Sequence, residues 1–185
     1  MDDAIIKLTL FAVGTGALLF ISRKSLRVVE SHGFDRFFAW EFILALILVN
    51  SSAWFHNPLS VQQIVSWIIL VYSLFVLIQG VWSFRLGKSN EGRQDETLLT
   101  FEKTTNLVTS GIYHYIRHPM YASLLFLAWG AFLKDITWYS VCLVIASTFS
   151  LVTTARKDER ECVHYFGSAY EEYMTRTKMF VPLLF

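Results

Sequence analysis

Apolar residues run through the chain in five blocks separated by polar stretches. Ala4–Ser22 is long enough to cross a bilayer, and Lys7 lies close enough to its start to snorkel. Phe37–Phe55 forms a second block, with Glu41 near its start and Asn50 near its end. Gln62–Phe84 is the third and strongest. Pro119–Leu133 is short for a span; Lys134 and Asp135 separate it from Ile136–Thr154, so these two blocks predict an antiparallel helical hairpin. Beyond Ala155 the chain is charged, yet Cys162, Phe166, Tyr170 and Tyr173 recur at helical spacing. That predicts an amphipathic helix broken at Gly167; an interfacial anchor explains it by itself, while the acidic pair at its start points to a site. The predicted fold is an all-α integral membrane protein of about five transmembrane helices, with a C-terminal hairpin and an amphipathic cytoplasmic tail, in one domain over residues 1–185.

The polar breaks carry their own information. His56-Asn57-Pro58 reads as a turn. Arg85–Thr105 is a long hydrophilic loop, either a linker or a lid over the segment next in the chain. Gly14 and Gly16 let another helix approach the first block closely. A secretory leader is disfavoured, because Asp2 and Asp3 stand where a basic segment belongs. Glu41, about a turn inside the second block, predicts snorkelling or a structural pair.

Composition agrees with a bilayer: 54% of residues are apolar and 16% aromatic, and the mean hydropathy is +0.44. A net charge of +1 leaves no footprint for nucleic acid. Cys142 and Cys162 do not make a disulfide framework. Lys and Arg cluster between blocks one and two, between three and four, and in the tail, whereas the segment between two and three has neither. The positive-inside rule then predicts an outer N-terminus and a cytoplasmic C-terminus. Plasma membrane and endoplasmic reticulum both remain open.

The densest chemistry lies at Leu107–Tyr121, where Arg117, His114, His118, Gly111, Pro119 and three tyrosines crowd the edge of an apolar block. Gly111 permits a tight backbone approach. Pro119 suits a helix's first turn, so a helix is predicted to start at His118–Met120 and to offer its positive end to an anion. Arg117 and His118 add charge-assisted donors at the same place. His114 and His118 stand four apart and are a rival metal pair, although Pro119 interrupts a helix through both and no third ligand has matching spacing.

Leu107-Val108-x-x-Gly111-Ile112-Tyr113 followed by Arg117-His118-Pro119-x-Tyr121 resembles the signature of the isoprenylcysteine carboxyl methyltransferase family and its phospholipid methyltransferase relatives. A second half comes later in the same order: Asp158-Glu159, then Phe166-Gly167-x-x-Tyr170-x-x-Tyr173, then Pro182. The resemblance implies S-adenosyl-L-methionine bound by residues 103–185 and a lipidic acceptor from the bilayer, either a prenylated cysteine carboxylate or a phospholipid amine. It implies cofactor contacts from Leu107, Val108, Gly111, Tyr113, His118, Pro119, Met120 and Glu159. Catalytic roles fall to Arg117, Glu159 and Tyr121: Arg117 orienting a carboxylate, Tyr121 or Tyr113 facing the sulfonium, and Glu159 or His114 acting as base for an amine. The chain departs from the family at Thr105, where a His is common, at Arg160 and at Cys162. Asp158-Glu159-x-x-Cys162 also resembles the tail of sterol reductases, which use NADPH, though such enzymes have about twice as many spans. A non-enzymatic membrane scaffold explains each feature singly but not both motif halves.

Overall fold

The computed structural model describes residues 3–87 and 104–182. Most of the hydrophilic loop read as a linker or lid, with Lys88, Arg93 and Lys103, lies outside the described residues. Six α-helices are present among them: α1 (Asp3–Ser22), α2 (His32–Val49), α3 (Val61–Gly87), α4 (Pro119–Phe132), α5 (Trp138–Phe166) and α6 (Ser168–Arg176). The protein is an all-helical membrane protein. Helices α1, α3 and α5 are long and apolar enough to cross a bilayer. Helix α2 has 18 residues but carries Asp35, Arg36 and Glu41, and α4 has 14. At 1.5 Å per residue, α4 spans only about 21 Å.

Two antiparallel pairs build the bundle, each joined by a recognisable device. Helix α3 buries Gln63, Ser66, Ser73, Val76, Gly80 and Ser83, a stripe of small and polar side chains. Small residues let two backbones approach where lipid supplies no hydrophobic drive. Ser66 Oγ donates to the Gly130 carbonyl at 2.7 Å, and Ser73 Oγ to that of Ser123 at 2.7 Å. A Cβ on Gly80 would lie 3.2 Å from Pro119, so the start of α4 rests on that glycine. Helix α2 pairs instead with α5 through Ala39, Ile43 and Leu46 against Val144, Leu151 and Ala155, all in one buried core. The hairpin expected from the fourth and fifth blocks is present, and these two pairings flank it.

Helix α1 lies against α2, with Leu44 where a Cβ on Gly14 would sit and open space at Gly16. Thr15 Oγ1 donates to Glu41 Oε2 at 2.8 Å, so Glu41 is a structural partner for α1. Helix α5 differs from expectation at its end: span and charged tail form one helix through Phe166. Gly167, at φ +60° and ψ −139°, then turns the chain into α6. Few residues other than glycine adopt that conformation. Antiparallel pairing thus gathers the start of α2, the end of α3, the start of α4 and the end of α5 at one end of the bundle.

Candidate active site

The segment before α4 is shaped by two residues. Gly111 has φ +63°, and a Cβ there would fall 2.1 Å from Ser83 Oγ of α3. It opens a 3₁₀ turn, Gly111–His114, which buries Tyr113. Pro119 then occupies the first position of α4, where the Ala122 N–H makes the first helical bond to the His118 carbonyl at 2.8 Å. Between them the chain pairs with the segment after α6. Lys178 N–H donates to the Tyr115 carbonyl at 3.1 Å, Arg117 N–H to Lys178 at 2.8 Å, and His118 N–H to Met179 at 3.2 Å. Phe180, wholly buried, lies 6.3 Å from the His118 ring. This tail pairing had no signal in the sequence beyond the nearby Pro182.

Arg117, His118, Asp158 and Glu159 form a charged core. Arg117 Nε donates to Glu159 Oε1 at 2.7 Å, and its Nη1 reaches the carbonyls of Met174 and Thr177. One guanidinium therefore ties the α4 motif to α5 and to the end of α6. His118 is 6% exposed and places Nδ1 3.4 Å from Asp158 Oδ2 and Nε2 3.3 Å from Glu159 Oε1. Burial alone would lower the His118 pKa; hydrogen bonds and charge from both carboxylates outweigh it and hold it above 6.5. Both carboxylates lie beyond the apolar part of α5. Burial would raise their pKa values, but His118 dominates and holds both below the ordinary range, with Arg117 adding to the effect at Glu159. Burial pushes the Tyr170 and Tyr173 phenols up, and Tyr173 Oη donates to the Tyr113 carbonyl at 2.6 Å.

A cleft enclosing about 780 Å³ of empty space, open mouth included, adjoins this core. Leu107, Val108, Tyr113, Arg117, His118, Pro119, Met120 and Tyr121, all singled out by the sequence, line it. Gly111 and Glu159 do not: Gly111 packs on Ser83, and Glu159 stands behind Arg117 and His118. Asp158 lines the cleft in place of its neighbour. The stripe of Cys162, Phe166, Tyr170 and Tyr173, which reads equally well as a membrane anchor, also faces the cleft. Phe84, Thr104 and Asn106 complete the wall and had no sequence signal. His114 is exposed with its ring against Tyr115, while His118 faces two carboxylates, so the two histidines do not converge.

A sequence model described as phospholipid methyltransferase matches residues 67–166. The chain is similar to protein-S-isoprenylcysteine O-methyltransferase of Schizosaccharomyces pombe, with 33% identity over 81 residues, covering 42% of this chain and 34% of that protein. It is also similar to methanethiol S-methyltransferase 2 of Bradyrhizobium diazoefficiens, with 27% identity over 114 residues, covering 62% of this chain and 38% of that one. The matched segments thus span little more than a third of either relative. No solved structure matches the chain. The matched region runs from α3 through the end of α5 and holds the cleft's motif and its carboxylates, and on that ground the chain belongs to the phospholipid methyltransferase family.

Proposed function

We propose that this protein is a membrane methyltransferase that takes its methyl group from S-adenosyl-L-methionine and gives it to a lipidic acceptor. The observation that carries the reading is the convergence of both motif halves on one cleft, with a carboxylate, a helix start and aromatic faces on its walls. This donor set fits the cofactor's mixed charge. The start of α4 at Pro119–Tyr121 suits a carboxylate. Asp158 suits an amino group, with Glu159 backing it through His118. Tyr113 and Tyr121 offer ring faces to a sulfonium. Backbone groups of Leu107 and Val108 suit adenine hydrogen bonding. When bound, S-adenosyl-L-methionine supplies a methyl group already activated on a sulfonium.

The chain's own part is to align, to exclude water and to keep charges fixed. Arg117 locks the motif segment to α5 and the tail. Tyr121 stacks on His118 at 5.5 Å between ring centres, which packs its ring against the charged core. With His118 raised and Asp158 and Glu159 lowered, these groups make poor bases near neutral pH. An acceptor that arrives ionised, such as a prenylated cysteine carboxylate, suits them better than a phospholipid amine. The fungal and bacterial relatives are methyltransferases of isoprenylcysteine and of methanethiol, which supports an acceptor chosen outside the shared region. Sidedness accords with the basic residues: the cleft faces the cytoplasm, at the plasma membrane or the endoplasmic reticulum.

The test is calorimetric titration of detergent-purified protein with S-adenosylhomocysteine and, separately, with NADPH. Micromolar binding of the first alone is expected. Binding of NADPH alone overturns the reading in favour of a reductase, and binding of neither by folded protein leaves a scaffold.

A further inference from the structure

Helix α2 lies outside the matched region, yet its first turns reach the site through α5. Ser31, the residue before α2, makes no side-chain cap. The cap comes from α5 instead: Glu161 Oε1 accepts from the His32 backbone N–H at 2.9 Å, and Oε2 pairs with His32 Nδ1 at 2.8 Å. A carboxylate at a helix start answers both the open N–H groups and the positive dipole end. Arg36, one turn on, points the same way, with Nη1 3.4 Å from His32 Nε2. His32 and Arg36 are each 1% exposed.

On α5, Asp158 stands three residues before Glu161 and so on the same face. Ligand atoms of His32, Asp158 and Glu161 all lie within 4.8 Å of one another. A divalent cation could use such a trio, but the Arg36 guanidinium already brings positive charge to this spot. A guanidinium this deeply buried is strongly unfavourable unless carboxylates answer it. Asp158, within 4.8 Å of the His32 ring, is the lining carboxylate nearest this group, and the charges of His32 and Arg36 act on it as that of His118 does. Asp158 thus has His118, at the start of α4, and His32, at the start of α2, both close to its carboxylate.

We propose that His32 and Arg36 of α2 are positioning residues of the cleft, which fix the Asp158 carboxylate in its wall and so set the affinity for the methyl donor. This rests on the reading of the cleft as a methyl-donor site. Neither residue touches the cleft, so neither is catalytic. The consequence is that donor binding depends on a helix outside the family's matched segment.

The experiment measures S-adenosylhomocysteine affinity by calorimetry, with melting temperature in parallel, for wild type, Arg36→Met, Arg36→Lys and Glu161→Gln. Arg36→Met is expected to weaken binding about tenfold, equivalent to about 1.4 kcal/mol. Arg36→Lys is expected to restore affinity to within about threefold of wild type even if its melting temperature stays low, since the cation is kept. If Arg36→Met does not fold, Glu161→Gln decides. It keeps an acceptor for the His32 N–H but loses the charge, and about threefold weaker binding is expected, of the order of one hydrogen-bond contribution. A folded Arg36→Met or Glu161→Gln with wild-type affinity overturns the inference alone. So does an Arg36→Lys as weak as Arg36→Met. Failure of wild type to bind overturns the methyl-donor reading, and this inference with it.

Discussion

Buried cations stand at both ends of the helical bundle, in different company. At the end away from the cleft, Lys134 is 2% exposed, donates to Gln63 Oε1 at 3.1 Å and lies 3.7 Å from the centre of the Trp67 ring. Its neighbours there are neutral amides and carbonyls: Gln63 Nε2 donates to the Lys134 carbonyl at 3.0 Å, and Asn50 Nδ2 to that of Ala131 at 2.9 Å. At the other end the guanidinium groups of Arg117 and Arg36 and the rings of His118 and His32 gather with Asp158, Glu159 and Glu161, and Arg117, His118 and Asp158 face an open cleft. The first arrangement closes a turn with amides and ring faces. The second balances opposite charges beside an open cleft. The difference separates a cation that fastens a fold from cations that hold a site.

The largest expected effect is at Arg117. Arg117→Ala removes the ties to Glu159, Met174 and Thr177 and leaves a buried carboxylate without its guanidinium. A stability loss of about 3–5 kcal/mol is expected, read as the largest fall in melting temperature of any variant. Gly111→Ala ranks next, because the new methyl meets Ser83 Oγ and the backbone must hold a positive φ. A loss of about 1–3 kcal/mol is expected, with weaker S-adenosylhomocysteine binding as the cleft wall shifts.

pH sharpens the contrast. His118 has a folded pKa raised above 6.5, so its contribution is complete below 6.5 and fades as pH rises through the raised value. Asp158 and Glu159 have lowered values; their contributions are complete above 3.8 and 4.5 and fade only as pH falls through the depressed ones. Stability therefore declines from neutral toward alkaline pH, by about 1.4 kcal/mol for each unit by which the His118 pKa is raised. His118→Gln is expected to flatten that alkaline limb in a series of thermal melts. The smallest effect belongs to Lys134→Met, which keeps an apolar chain between the Trp rings. About 1 kcal/mol or less is expected, with no change in ligand affinity. A Lys134→Met as damaging as Arg117→Ala would erase the distinction between the ends.

Much of this arrangement was legible in the sequence, for reasons that can be named. The apolar blocks gave the helices because lipid exposure keeps their faces uniformly apolar. The start of α4 was legible because proline allows little else. Gly167 was legible as a break, but the continuity of α5 from span into tail was not, since a composition change at Ala155 does not interrupt helical hydrogen bonding. The acidic pair was visible, yet spacing alone does not say which member faces the cleft; the rotation of α5 puts Asp158 there and Glu159 behind. Cys162, Phe166, Tyr170 and Tyr173 formed a visible stripe whose partner was not visible, because one stripe serves a lipid surface or a cavity equally well. His32 and Arg36 were hidden by ambiguity: basic residues near a span end are also what topology requires.

The most direct measurement of where the methyl donor binds is ultraviolet crosslinking of radiolabelled S-adenosyl-L-methionine to the purified protein, with peptide mapping of the label. Label is expected only on peptides carrying residues 104–121 and 158–173, competed away by S-adenosylhomocysteine. Label that S-adenosylhomocysteine does not displace, or that maps to the Lys134 end of the bundle, would contradict that placement.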